Sequence, residues 1–434
     1  MNRIRSAGPF RWVSRPLNRP LVTQTAGFIL LLCIATAVAI AAGRLRIPYT
    51  IALVVTGLVF GTLDIVSLPH LTKELLFDVF LPGLLFEAAY HLHPRELRAS
   101  AATIGVLAVP GVIVAIGLTA VLLVAASTSL GMEPRVSWPT ALVFGGVIAA
   151  TDPVAVTALL RQVAAPRRLE VLLESESLLN DGTSVVFLGL IIAYLSGEEP
   201  TMLALGLDFA GITIGGAAAG IVIGWVVTHI IRQIDDASIE ITLTTIAAYG
   251  SFVVAEHFHA SGVIATVAAG VMCGNPGRIR VMSDATRQAV DSFWGWAAFV
   301  LNSAVFLLLG AEVSLPVLAR AWPGIAIAVV AVLVARGIVV FGTTALLSRT
   351  GERMPLSWSA AMTWGGLRGA LSLVLALALP ASLPDRSLIV TLTAGVVVVS
   401  LVGQGLSMRP LLRRLRIQAL GATPGSAPTA TPPR

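Results

Sequence analysis

Long apolar stretches separated by short polar connections dominate the chain from residue 22 to residue 408. A helix needs about 20 apolar residues to cross the hydrocarbon core of a bilayer, and most of the stretches are close to that length. The pattern predicts thirteen membrane-crossing segments, numbered 1 to 13 below, with no soluble domain between them. They lie at about 22–42, 48–63, 72–92, 101–126, 139–161, 169–195, 203–231, 238–257, 259–274, 291–312, 323–347, 357–380 and 386–408.

Two of these segments contain residues that interrupt a helix. Segment 5 has Asp152-Pro153 at its centre, and segment 12 contains the sequence GGLRG at 365–369. Proline removes a backbone donor and disfavours helical geometry in the residue before it. Because lipid cannot satisfy unpaired backbone groups, such a break persists only where protein or water encloses it. Breaks at matching positions indicate an inverted-repeat transporter, here with repeats at about 22–196 and 238–408 joined by segment 7.

Segment 6 gathers acidic, hydroxyl and amide side chains inside an apolar sequence. Four of them fall on one helical stripe, at Glu174, Ser177, Asp181 and Ser184, and a neighbouring stripe carries Glu176 and Asn180. A charge at the bilayer centre costs at least about 2.5 kcal/mol, so Asp152 and Asp181 are predicted to have a function. Oxygen atoms on one face suit a proton or a hard monovalent cation. The alternative is a soluble helix capped at Thr151 or Asp152, which the hydropathy of the chain disfavours; the same cap can start the second half of a broken helix.

Three further charged residues lie inside predicted segments. Arg368 needs a partner, and we expect it either to pair with Glu176 or to cap carbonyl groups of its own broken helix. Arg336 is predicted to be a structural pairing residue and not an ion ligand. Glu87 either joins a buried network or lies at the membrane interface.

The composition supports a polytopic membrane protein. Of the 434 residues 56% are hydrophobic and 12% are charged, whereas a soluble domain has about 25% charged residues. The net charge of +6 lies in short loops, which fits a membrane surface and not nucleic acid. Because no nucleotide-binding loop or catalytic triad is present, we expect neither an enzyme nor a cofactor.

Arginines in alternate loops predict the orientation. One set of loops and the C-terminal tail (409–434) carry seventeen basic residues against four on the opposite side, so the C-terminus is expected in the cytoplasm and the protein in the cell (inner) membrane. Thirteen spans would place the N-terminal tail (1–21) outside, but its five arginines favour the inside. The side of the N-terminus therefore stays open.

Five motifs resemble, in order, those of the sodium/proton exchanger (NhaP/NHE) type of cation/proton antiporter. They are GGVIAATDPVAV (145–156), LLESESLLNDGTSVV (172–186), AEHFHASGVIA (255–265), FVLNSAVFLLLGAEV (299–313) and GGLRGALSL (365–373). The resemblance implies an all-α membrane fold of about thirteen helices, in two inverted six-helix repeats with helices 5 and 12 broken and crossed, and a homodimer.

The resemblance also implies roles for individual residues. Ion and proton would be carried by the TDP and ESxxND motifs, here Thr151, Asp152, Glu176, Ser177, Asn180 and Asp181. Arg368 would pair with Glu176, and Glu87 stands where some members place a water-linked acid.

These observations predict electroneutral exchange of Na+ for H+ by competition at one site, with membrane lipid as the surroundings. Na+ would bind Asp152, Ser177 and Asp181 together with the carbonyl group of Thr151. Asn180, in place of a possible aspartate, limits the charge and favours one-for-one exchange. Alternatives remain open: K+ or Li+ as the cation, a sodium-coupled organic-acid symporter, and a channel or ion sensor.

Overall fold

Helices occupy all thirteen predicted segments in the computed structural model. The structure describes residues 19–45, 47–63, 71–131, 135–197, 201–277 and 282–417. The side chains of residues 19–26 and 202 are not described. Most of both predicted tails, residues 1–18 and 418–434, lies outside the described residues. In chain order the segments are Arg19–Leu45; Tyr49–Leu63; Leu75–Phe80 with Leu81–Tyr90; Ala101–Ala108 with Pro110–Ser129; Trp138–Ile148 with Val154–Gln162; Arg167–Leu195; Met202–Ile231; Ala237–His257; Gly262–Met272 with Cys273–Gly277; Asp284–Ala311; Leu315–Leu346; Leu356–Gly365 with Ala370–Leu377; and Arg386–Val399 with Ser400–Gln404 and Gly405–Arg414.

The helix lengths confirm the prediction of a multi-pass membrane protein. Among the described residues, eight helices are long and apolar enough to cross a membrane, and three shorter apolar helices accompany them. The number of thirteen spans itself stays a prediction. Segment 13 was expected to end at residue 408, but its helix continues to Arg414.

The segments pack as two groups. Segments 4, 5, 6, 11, 12 and 13 form the crossed-helix bundle, and segments 1, 2, 3, 7, 8, 9 and 10 form the wall bundle. Packing between the bundles is weaker than packing within them, and segment 6 supplies most of it. The crossed-helix bundle therefore contains the last three segments of each predicted repeat, together with both broken helices.

Glycines bring segments 7 and 9 of the wall bundle into close contact. Gly216, Gly220 and Gly224 repeat every fourth residue of segment 7 and face segment 9. A Cβ atom at Gly220 would lie only 2.9 Å from the Cα of Ala265 and closer still to its carbonyl oxygen. Glycines spaced four residues apart favour this kind of close packing between membrane helices.

Three of the arginine-bearing loops meet on one face of the molecule. The guanidinium group of Arg168 donates to the carbonyl oxygens of Glu352 (3.0 Å) and Arg353 (3.3 Å). The carboxylate of Glu352 accepts the backbone N–H groups of Ala102 (3.0 Å) and Thr103 (2.7 Å). Partial burial opposes ionisation of Glu352, but these N–H groups outweigh it and its pKa lies below the ordinary value. The loops that follow segments 3, 5 and 11 thus share one side, as the arginine count requires.

The glycine contact yields a test of helix packing. Gly220→Ala should lower the free energy of unfolding by about 1–3 kcal/mol, because the added methyl group meets backbone that cannot move aside easily. Thermal melting of the detergent-solubilised protein measures the loss. Gly206→Ala is the matched control on the same helix, since no atom lies within 4 Å of its added Cβ. Equal melting temperatures for the two variants would contradict the packing.

Candidate functional site

The two predicted breaks meet inside the crossed-helix bundle. The backbone N–H of Asp152 donates to the carbonyl oxygen of Leu367 (2.8 Å), and these two residues form the isolated bridge between segments 5 and 12. The side chain of Asp152 accepts the N–H of Val154 (3.0 Å) and so caps the second half-helix of segment 5. The crossing of the broken helices is confirmed. The second half-helix begins at Val154 with Pro153 at the cap position, one residue later than predicted, and Asp152 binds its first N–H group.

The glycines of segment 12 leave room for charged side chains. A Cβ atom at Gly369 would lie 2.5 Å from the Cβ of Asp152 and closer to its carboxylate. A Cβ atom at Gly366 would lie 2.7 Å from the Nε of Arg336. Glycine is therefore required at positions 366 and 369 because the side chains of Arg336 and Asp152 leave no room for a Cβ atom, in addition to the break in the helix.

Segment 13 satisfies backbone groups that the break in segment 12 leaves unpaired. Its helix has a π-helical turn, Ser400–Gln404. The hydroxyl of Ser400 accepts the N–H of Arg368 (3.1 Å), and the amide of Gln404 donates to the carbonyl of Trp364 (3.0 Å). Sequence reasoning missed both residues, although two polar side chains one turn apart in an apolar segment are a readable signal.

Arg368 caps the break of the opposite helix. Its Nη1 donates to the carbonyl oxygens of Ala149 (2.7 Å) and Ala150 (3.1 Å) in segment 5. Two expectations are therefore wrong: Arg368 is not paired with Glu176, and the carbonyls that it caps do not belong to its own helix. The physical reason is the crossing, which places the unpaired carbonyls of segment 5 directly beside the break in segment 12.

Glu176 pairs with Arg336 of segment 11. The two guanidinium nitrogens of Arg336 donate to the two carboxylate oxygens at 2.7 and 2.8 Å, and both residues are buried. Arg336 also donates to the carbonyl of Met362 in segment 12 (3.3 Å). The prediction that Arg336 is a structural pairing residue agrees with this geometry, and a two-pronged bond of this kind neutralises both charges.

Side chains of segment 6 hold the break of segment 5. The amide of Asn180 donates to the carbonyl of Ala149 (3.0 Å) and to the hydroxyl of Thr151 (3.3 Å), while its oxygen accepts the hydroxyl of Ser184 (2.8 Å). The hydroxyl of Ser177 donates to the carbonyl of Thr151 in a short bond. Ser184, expected on the ion-facing stripe, is instead a partner of Asn180.

A cavity of about 120 Å³ lies where the crossing faces the wall bundle. Thr151, Asp152, Ser177 and Asp181 line it from the crossed-helix bundle. The Oδ1 atom of Asp181 is buried and has no hydrogen-bond partner among the described residues. Such an atom is costly to bury, so it is available to a proton or a cation.

Two further carboxylates line the same cavity. Glu87 contributes from segment 3, and its carboxylate lies 3.3 Å from the Nδ1 of His91. Glu174, two turns before Asp181 on segment 6, forms an ion pair with Arg161 (2.6 Å), whose side chain is 59% exposed. The cavity therefore leads from the half-buried aspartates towards the arginine-bearing face.

The remainder of the wall is mostly apolar. It comes from segments 3 and 10 and includes Leu84, Leu85, Val305 and Phe306. The polar groups of the site are thus concentrated in the crossed-helix bundle.

The chain matches known sodium/hydrogen exchangers along most of its length. A family model described as "Sodium/hydrogen exchanger, transmembrane" matches residues 28–414. The Na(+)/H(+) antiporter ApNhaP of Aphanothece halophytica is 36% identical over 85% of this chain and 70% of its own length. The Na(+)/H(+) antiporter NhaP of Pseudomonas aeruginosa is 38% identical over 86% of this chain and 92% of its own length.

A solved structure shares the fold. The sodium proton antiporter MjNhaP1 from Methanocaldococcus jannaschii superposes with a TM-score of 0.72, covering 91% of this chain and 99% of the other. At 19% identity this likeness shows the fold alone.

The bond between Glu176 and Arg336 can be tested by a double-mutant cycle. Glu176→Ala and Arg336→Ala should each lower the free energy of unfolding by about 3–5 kcal/mol, because each leaves an uncompensated buried charge. The double variant should lose clearly less than the sum, as measured by melting in detergent. A parallel cycle of Glu176→Ala with Arg368→Ala is the control. Stronger coupling in that second cycle would contradict the pairing described here.

Proposed function

Since this chain belongs to the sodium/hydrogen exchanger family, we propose that it is a secondary active antiporter in which Na+ and H+ compete for Asp152 and Asp181. The observation that carries the proposal is the Oδ1 atom of Asp181, buried beside Asp152 and without a partner among the described residues. A proton can neutralise this group, and so can a desolvated cation, but not both at once. Competition alone then couples the two ions.

Coordination of the cation would draw on oxygens that the crossing already holds in place. Asp152, Asp181 and the hydroxyl of Ser177 line the cavity, and Ser177 keeps oxygen lone pairs free because it donates its proton to Thr151. The carbonyl oxygen of Thr151, which also accepts the hydroxyl of Ser177, is the remaining candidate ligand. Hard monovalent cations favour oxygen ligands of this kind.

The fixed charges favour one-for-one exchange. Glu176 is neutralised by Arg336, and Asn180 adds no charge. Arg368, held at the crossing by backbone carbonyls, is near enough to Asp181 to offset part of its charge. A single Na+ or a single H+ would then neutralise the negative charge that remains on the two aspartates.

Movement of the two bundles against each other would carry the site across the membrane. The site belongs to the crossed-helix bundle, while the facing wall is mostly apolar and holds few polar bonds to break. An empty, ionised site would be penalised against that wall. The bundle would therefore cross only when a proton or a cation is bound.

Na+ is the proposed cation because the antiporters ApNhaP and NhaP, which this chain resembles at 36% and 38% identity, carry that ion in their names. An organic-acid symporter is less well supported, since the buried guanidinium groups of Arg336 and Arg368 are already engaged by Glu176 and by backbone carbonyls.

For the assembly we propose a homodimer in the inner membrane with the arginine-bearing face in the cytoplasm. Segments 1 and 7 leave many apolar side chains exposed, among them Phe28, Ile40, Ile214 and Trp225, which a lipid or a second copy would cover.

The first test concerns Asp181. Asp181→Asn should give folded, membrane-inserted protein without exchange, because an amide can neither release a proton nor neutralise a cation. Dequenching of a pH dye in proteoliposomes after addition of Na+ measures the rate. Asp208→Asn, in segment 7 and away from this cavity, is the matched control and should exchange at the wild-type rate. Exchange by Asp181→Asn at a tenth of that rate would refute the role of Asp181.

The second test concerns competition. Well below the apparent pKa of the site, each unit drop in pH should raise the half-saturating Na+ concentration about tenfold, because one proton must leave for each cation that binds. The value should level off at high pH. The two aspartates titrate as a coupled pair, so the midpoint belongs to the site.

Sodium titrations of exchange at four or five pH values give this dependence. A half-saturating concentration that stays constant while only the maximal rate falls would place the proton at a separate site, and competition would then be wrong even for a working antiporter. Repeating the titration with K+ and Li+ ranks the cations.

A further inference from the structure

One polar side chain in the apolar wall of the cavity has no role in the fold. Asn302, in segment 10, is 8% exposed and lines the cavity that contains Asp152 and Asp181. Its amide forms no hydrogen bond with any described residue, and its neighbours on the cavity side of the helix are Val305 and Phe306. A largely buried carboxamide that faces a cavity and bonds to no described residue does not stabilise the fold, so stability does not account for asparagine at this position.

Asn302 lies on the opposite side of the cavity from the other candidate cation ligands. Thr151, Asp152, Ser177 and Asp181 all belong to the crossed-helix bundle, whereas Asn302 faces the cavity from the wall bundle. Glu87 is the other wall residue with an acidic or amide side chain among those that line the cavity. Asn302 can therefore offer a neutral oxygen from a direction that the crossed helices leave open.

We propose that the side-chain oxygen of Asn302 is a ligand of the bound cation and not of the proton. The inference rests on the proposed function, because it assigns a further ligand to the same site. A proton needs a single carboxylate oxygen, while a desolvated cation needs several oxygens around it. A neutral ligand on the wall thus favours the cation over the proton without adding charge, so the one-for-one balance is kept.

A cation ligand on the wall bundle would affect cation transport and proton transport differently when the crossed-helix bundle moves. Because Asn302 and the aspartates lie on different bundles, the cation contacts both walls only while the cavity is in the arrangement seen here. When the crossed-helix bundle moves, the cation must lose this contact, whereas a bound proton loses nothing. Asn302 therefore helps to set the cation affinity on the side to which this cavity leads.

The variant Asn302→Leu tests the proposal, since it keeps a similar volume and removes the amide. The half-saturating Na+ concentration should rise about tenfold at every pH, the effect of losing one bond to a charged group. The tenfold dependence per pH unit should stay as in the wild type, because proton binding is untouched. Asn302→Asp keeps an oxygen and adds a third titratable group, so its cation affinity should recover at high pH and fall more steeply as pH drops.

Ser303→Ala is the matched control. Ser303 is the next residue, is fully buried, and its hydroxyl has no hydrogen-bond partner among the described residues; it does not line the cavity. Its removal should leave the half-saturating Na+ concentration unchanged and should not lower the melting temperature, because it removes a buried hydroxyl without a partner. Melting of the purified protein with increasing Na+ gives a second readout, since ligand binding raises stability independently of turnover. The Na+-dependent rise should need about tenfold more Na+ in Asn302→Leu.

The outcomes separate the two proposals. An unchanged half-saturating concentration in Asn302→Leu, or a change in maximal rate alone, overturns the ligand role while leaving antiport at Asp181 intact. Exchange by Asp181→Asn overturns the proposed function whatever Asn302 does. If Asn302→Leu is not recovered as folded protein, Asn302→Asp decides: a pH dependence equal to that of the wild type contradicts a side chain facing the cation.

Discussion

The structure depends on one constraint: backbone groups cannot be left unpaired in lipid, yet segments 5 and 12 both break where they cross. The break in segment 5 receives donors from Arg368 and Asn180, and the break in segment 12 receives bonds from Ser400 and Gln404. Four helices are thus tied to one point. The polar groups that ion binding needs are present there because the crossing itself requires a polar environment.

Charge at the crossing is balanced in part by buried arginines. The bond between Glu176 and Arg336 removes two charges and fastens segment 6 to segment 11. Arg368 lies against the carbonyls of segment 5 and offsets part of the charge of the aspartates. In the proposed mechanism, stability and transport therefore use different carboxylates on the same helix, Glu176 for the first and Asp181 for the second.

The difference between the two walls of the cavity suits a moving site. Polar bonds are numerous inside the crossed-helix bundle, and the facing wall contributes mainly leucine, valine and phenylalanine. Sliding across an apolar wall breaks few directional bonds, while the polar network keeps the moving bundle rigid. In this setting the amide of Asn302 differs from its apolar neighbours on the wall, which is the basis of the proposed ligand role.

The sequence by itself determined the membrane class, the positions of the segments and the two breaks, and it selected Asp152 and Asp181 as candidate site residues. Hydropathy, proline geometry and the cost of buried charge are local properties of the chain. Tertiary structure decided which partners meet. The choice of Arg336 over Arg368 for Glu176, the support from Ser400 and Gln404, and the position of Asn302 all depend on helix rotation and crossing. Each of these residues is far from its partners in sequence, and only the packing of segments 5, 6, 11, 12 and 13 against one another brings them into contact.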